Sequence, residues 1–224
     1  IANMMRKCAN DTLTNAEAFL NGNEEAVNII TEALIKAGIA MAFAEISRPA
    51  SGIEHYYSHL WEMRSIEQGI TPELHGIQVG LATLKTIEKY ERLRGLTCNK
   101  ERAEKFVIEF DNNEYYEKIK SYFGSSGEKI LSLEKKEGKY DKSTHPARLQ
   151  RIIANWENIL QIVSEELPSS DTVAELYKKI KFPYEYAQIG ENENSAEQAF
   201  THTKDIRDKY ILSRLLWDIG YTSI

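Results

Sequence analysis

The stretch that follows Pro146 decides the fold class. In "PARLQRIIANWENILQIV" the apolar residues Leu149, Ile152, Ile153, Trp156, Ile159, Leu160 and Val163 recur three or four apart, which is the spacing of one helix face. Similar spacing recurs along the chain. Alternation of period two is missing, and no Asn-Gly or Asp-Gly turn separates β-branched runs, so a sheet would have neither a face to bury nor a hairpin to start from. The expectation is an all-α chain of about eight or nine helices, forming a single helical domain over residues 1–224.

Local punctuation places the helices. The first residues, with Ile1, Met4, Met5 and Cys8 at helical spacing and no cap before them, read as the middle of a helix, a hint that the chain is the C-terminal piece of something longer. Residues 24–44 carry Val27, Ile30, Leu34 and Met41 as a helical stripe, and Pro49 stops that helix. Ser51 with Glu54, Ser125 with Glu128, Thr172 with Glu175 and Ser195 with Gln198 have capping-box spacing. Thr71-Pro72 reads as a cap followed by proline at the first helical position, opening a helix that ends near Leu93 and Gly95. Pro146 opens a long helix, and the last helical region runs from Ser195 to about Ile219.

An all-helical chain has no strand, glycine loop and helix unit, so it carries no Rossmann or P-loop nucleotide site of its own. The net charge of −6 argues against a nucleic-acid or anionic-membrane partner. Lys135, Lys136, Lys139 and Lys142 alternate with Glu134, Glu137 and Asp141 and read as a solvated helix end. No apolar run is expected to reach the ~20 residues of a membrane span. Cys8 and Cys98 form no CxxC pair, which suits a reduced, cytoplasmic protein better than a disulfide scaffold.

The chemistry-bearing feature is a cluster of histidines. Three of the five in the chain lie within "EHYYSHLWEMRSIEQGITPELH". His55 and His59 are four apart and share a helix face. His75 falls in the first turns of the next helix, beside Gly76 and Gly80, whose missing side chains permit a close neighbour. Three imidazoles from two helix starts could converge on one metal ion, in the manner of sites that keep a coordination position open. Surface or hydrogen-bonded histidines are the alternative. Ser51 and Glu54 read as a cap rather than catalysts, and Trp61 and Met63 as core.

"GIAMAFAEISRPASGIEHYYSHLWEM" followed by "LHGIQVGLAT" closely resembles glycerol-1-phosphate dehydrogenase, a branch of the iron-containing alcohol dehydrogenase superfamily related in fold to dehydroquinate synthase. The likeness covers residues 24–95 well, and "KDIRDKYILSRLLWDIG" resembles the last helix of bacterial members. It implies a C-terminal helical, metal- and substrate-binding domain, partnered by a nucleotide-binding α/β domain expected to lie outside this chain.

The resemblance assigns His55 and His75 as metal ligands and His59 as the catalytic and substrate-contacting histidine. The family's aspartate ligand has no counterpart, since Asp11 lacks its context. Zn, Ni or Fe would serve as the metal, with NAD or NADP held by the α/β domain. The expected reaction interconverts dihydroxyacetone phosphate and sn-glycerol 1-phosphate, with this chain alone inactive or nearly so. Arg48 is either a phosphate contact or a structural ion pair, and a homodimer is expected from the superfamily. The competing readings are a glycerol dehydrogenase or other iron-type alcohol dehydrogenase, and a helical scaffold that keeps the motif without chemistry. Residues 97–190 are placed only as helical.

Overall fold

A computed structural model describes residues 1–224. The chain is helical throughout, with no strand, but it has twelve α-helices and four short 3₁₀ turns rather than eight or nine helices. Where the sequence reads as one domain, the helices gather into two compact units, Ile1–Gly52 with Asp171–Tyr184, and Ile53–Ser170 with Glu185–Ile224.

The first unit is built on a helical hairpin of α1 (Ala2–Leu20) and α2 (Glu24–Ala44). The turn between them is short because Gly22 takes φ +75, open to glycine without strain, and the Asn23 side chain then caps α2 by accepting from the Ala26 amide at 2.9 Å. The face of α2 that is buried is an alanine stripe, Ala26, Ala33 and Ala40. Of the residues read as its stripe, Leu34 is 70% and Val27 38% exposed, while Ile30 and Met41 are partly buried. Alanines at sevenfold spacing let two helices approach closely, which the larger side chains would prevent. Between Glu32 and Glu45 only Lys36 is charged, and α2 is long and apolar enough to cross a membrane by length and composition. This corrects the expectation that no run reaches that length, though a helix of an ordinary packed hairpin passes the same test.

The second unit holds α3 (Ile53–Gln68), α4 (His75–Leu93), α5 (Lys100–Glu109), α6 (Asn112–Phe123), α7 (Gly127–Glu137), α8 (His145–Ala154), α9 (Trp156–Glu166), α11 (Glu193–His202) and α12 (Leu212–Asp218). Between them the chain passes through α10 (Ser170–Lys179), nearly all of which belongs to the first unit. Tyr57, Trp61, Leu81, Phe200 and Leu216 are at most 1% exposed and sit in one core, which confirms Trp61 as core and has Met63 packed against it.

Several expected boundaries are corrected. The run after Pro146 is two helices that break at Asn155, whose side-chain Nδ2 donates to the Arg151 carbonyl at 2.8 Å. Ser195 does not cap α11; Asn192 does, and the Ser195 hydroxyl bonds to Glu191 and Arg64. Ser125 likewise bonds Glu67 instead of capping α7, and Thr172 lies inside α10.

Buried charge pins the C-terminal segment. Asp205 is fully buried and accepts from Tyr115 at 2.8 Å, Tyr140 at 2.6 Å and His202 at 2.7 Å. Glu134 and Lys139, read as solvated, are instead largely buried and hydrogen-bonded to each other at 2.5 Å. The remaining histidine, His145, is also core and bonds the Asp218 carbonyl at 2.8 Å.

Candidate metal and substrate site

Helix α3 ends in a glycine motif. Gly69 has φ +66, its amide donates to the Ile66 carbonyl at 3.1 Å, and the Ile70 amide donates to Ser65 at 2.8 Å, the paired bonds of a left-handed helix stop. The chain then stays non-helical to Leu74, and α4 begins at His75 rather than at Thr71-Pro72. The Glu73 carboxylate accepts from the Leu74 amide at 2.8 Å and helps hold this approach.

The non-helical connection has a geometric consequence. From Gln68 to His75 it can span up to about 24 Å, more than the roughly 14 Å of helix from Gln68 back to His59. A helical start at Thr71 would shorten that reach. As folded, His75 returns to the face of α3 that carries His55 and His59.

The three rings meet there. His75 Nε2 is 3.2 Å from His55 Nδ1, with ring centroids 5.2 Å apart, and the His59 and His75 centroids are 5.7 Å apart. All three side chains are partly exposed, at 26%, 38% and 46% for His55, His59 and His75, so a small molecule can reach them. Burial pushes the His55 imidazole below its usual range, against the pull of Glu54.

Sequence reasoning missed three further members. Glu62 meets His75 Nδ1 through Oε1 at 2.9 Å and His59 Nδ1 through Oε2 at 3.3 Å. Burial opposes its ionisation, but the hydrogen bonds from His75 and His59 outweigh burial and hold the carboxyl below its usual range. Ser58, wholly buried, is 2.9 Å from His75 Nδ1 and donates to Gln78 Oε1 at 2.7 Å. The available signal was the helical offset: Ser58 and Glu62 stand three and seven residues after His55, on the same face.

Arg48 lies in the first unit, on the turn Arg48–Ala50. Asp11 is paired with Lys7 within α1 at 2.8 Å. A Cβ added to Gly76 would meet nothing within 4 Å, so that glycine is not there to admit a close neighbour.

The donor set suits a divalent metal. Two imidazole nitrogens each about 2.0–2.1 Å from one ion at a tetrahedral angle stand about 3.3 Å apart, close to the 3.2 Å between His55 Nδ1 and His75 Nε2. A second grouping, His59, Glu62 and His75, also puts one ligand atom from each residue within 4.8 Å of the others. In the second grouping the Glu62 carboxylate, bonded to His75 Nδ1 and His59 Nδ1, would itself be a ligand.

No protein-family model matches the chain. Curated relatives do. A glycerol-1-phosphate dehydrogenase [NAD(P)+] of Halalkalibacterium halodurans is 39% identical over 84 residues, covering 38% of this chain and 21% of the relative. One from Thermococcus kodakarensis is 40% identical over 97 residues, 42% of this chain and 26% of the relative. One from Geobacillus stearothermophilus is 27% identical over 186 residues, 83% of this chain and 37% of the relative. The resemblance to glycerol-1-phosphate dehydrogenases therefore stands, and each of these matches spans well under half of the relative's own length.

Proposed function

We propose that this chain is the helical, metal- and substrate-binding part of a glycerol-1-phosphate dehydrogenase, interconverting dihydroxyacetone phosphate and sn-glycerol 1-phosphate. The observation that carries the reading is the 3.2 Å approach of His55 Nδ1 to His75 Nε2, a spacing suited to two ligands of one ion. The names of the relatives support the substrate and the nicotinamide cofactor.

In this reading His55 and His75 hold the ion and His59 faces the substrate. Bound there, a divalent ion (Zn, Ni or Fe) supplies Lewis-acid polarisation of the reacting oxygen, and NAD or NADP supplies the hydride acceptor or donor. His59 follows the first ligand by one helical turn, so its imidazole can hydrogen-bond the reacting oxygen or relay its proton. Glu62 orients that ring. The wall behind the site is dry: Tyr56, Tyr57 and Leu60 are at most 3% exposed, which limits the approach of water from the core side. A cytoplasmic setting and a homodimer go with this reading on the strength of the resemblance alone.

The test of substrate class uses the zinc-loaded chain. Dihydroxyacetone phosphate should shift the ring resonances of His59, while glycerol at the same concentration should leave them in place. Equal shifts with both would favour a glycerol dehydrogenase, and no shift with either would favour a scaffold without chemistry.

A further inference from the structure

We infer that Glu62 is a positioning residue that sets the proton on two histidines at once: it accepts Nδ1–H from His75 and from His59, leaving Nε2 of both rings unprotonated. What those Nε2 atoms then serve rests on the function proposed above, but the hydrogen-bond assignment does not.

The assignment follows from donor and acceptor capacity. An ionised carboxylate only accepts, and a neutral imidazole carries one N–H. The His75 nitrogen 2.9 Å from Glu62 Oε1 and the His59 nitrogen 3.3 Å from Oε2 must therefore be the protonated ones. Ser58 agrees. Its hydroxyl gives its single proton to Gln78 Oε1 at 2.7 Å, so towards His75 Nδ1 at 2.9 Å it can only accept. Ser58 and Gln78 are 0% and 3% exposed, so water does not compete for that bond. Glu62 can serve both rings because it is three residues after His59 on one helix face and opposite the start of α4.

This arrangement chooses between the two groupings. With Nδ1 of His75 already donating to Glu62, its metal-facing atom is Nε2, the atom beside His55. A carboxylate behind a ligating histidine fixes the ring and raises its basicity. On His59 the same bond leaves Nε2 able to accept the proton of an alcohol, where an Nε2–H could only donate one.

Long-range proton–nitrogen NMR on the metal-free 224-residue chain, at about pH 8 where imidazole is neutral, reads each tautomer directly. His59 and His75 should both be Nδ1–H in the wild type. Glu62→Ala should move both towards the Nε2–H form, and the isosteric Glu62→Gln, with one accepting oxygen, should retain at most one. Zinc affinity, measured by chelator competition, should fall about 10–100-fold in Glu62→Ala, with circular dichroism confirming that both variants fold. Nε2–H forms in the wild type, or tautomers unmoved in both variants, would overturn the inference whatever zinc does. The expected tautomers together with zinc binding indifferent to His55→Ala and His75→Ala would leave the positioning role in place and remove the metal reading instead.

Discussion

Arg148 grips Asp218 through two nitrogens, Nη2 at 3.0 Å and Nε at 3.2–3.3 Å, and Asp218 is fully buried. Tyr210 donates a further bond to it at 2.8 Å. Removing one partner of such a pair strands a charge in the core, at a cost of about 3–5 kcal/mol. Arg148→Met should therefore lower stability by that order in urea denaturation. A loss below about 1 kcal/mol would mean that Arg214, 3.6 Å away, already neutralises Asp218.

Glu134 makes the stability of the second unit depend on pH. Burial, and then the Asp205 carboxylate, push it from its ordinary 4.5 up to about 7 despite the Lys139 partner. Between those values the folded chain keeps a proton that the unfolded chain has released. Stability therefore falls as pH rises through that window, by about 1 kcal/mol for each pH unit, and levels off above it. Relative to the wild type, Glu134→Gln should remove this slope. Parallel stability curves from about pH 5 to 7 would show that Glu134 stays ionised throughout.

The two faces of α2 should respond oppositely to mutation. Leu34 and Phe43 are 70% and 75% exposed, so Leu34→Gln with Phe43→Gln should change stability by no more than about 0.5 kcal/mol each while reducing binding of a hydrophobic dye. Ala33 and Ala40 are 4% and 0% exposed, and Ala40→Leu should cost about 1–3 kcal/mol by overpacking. Equal losses on both faces would contradict the packing described here.

Glycines give a matched pair. A Cβ on Gly127 would stand 2.7 Å from the Lys120 backbone, so Gly127→Ala must push α6 and α7 apart, at about 1–3 kcal/mol. Gly76 has open space around it and an ordinary helical backbone, and Gly76→Ala should stabilise by about 0.5–1 kcal/mol. Thermal unfolding of the two variants side by side tests both signs.

What could be read from the sequence was what depends on neighbours along the chain. The bounds of α2 and the shared face of His55 and His59 follow from local caps and helical periodicity. Glu62 escaped because its partner, His75, is brought to it by the non-helical connection 69–74, which Thr71-Pro72 disguised as a helix start. The break at Asn155 was hidden because the apolar spacing runs straight through it. Ser125 and Ser195 looked like caps, yet their hydroxyls answer to Glu67 and Arg64, which lie 58 and 131 residues away. Exposure of Leu34 could not be read from its stripe, since periodicity gives the direction of a face and not what covers it.

The most direct test of the histidine site is a zinc titration of this chain beside a His55→Ala, His75→Ala double variant. Two imidazole nitrogens held 3.2 Å apart predict one weak site in the wild type, lost in the double variant. Equal binding by the two proteins would contradict the account, since His55 and His75 would then not be acting as a pair.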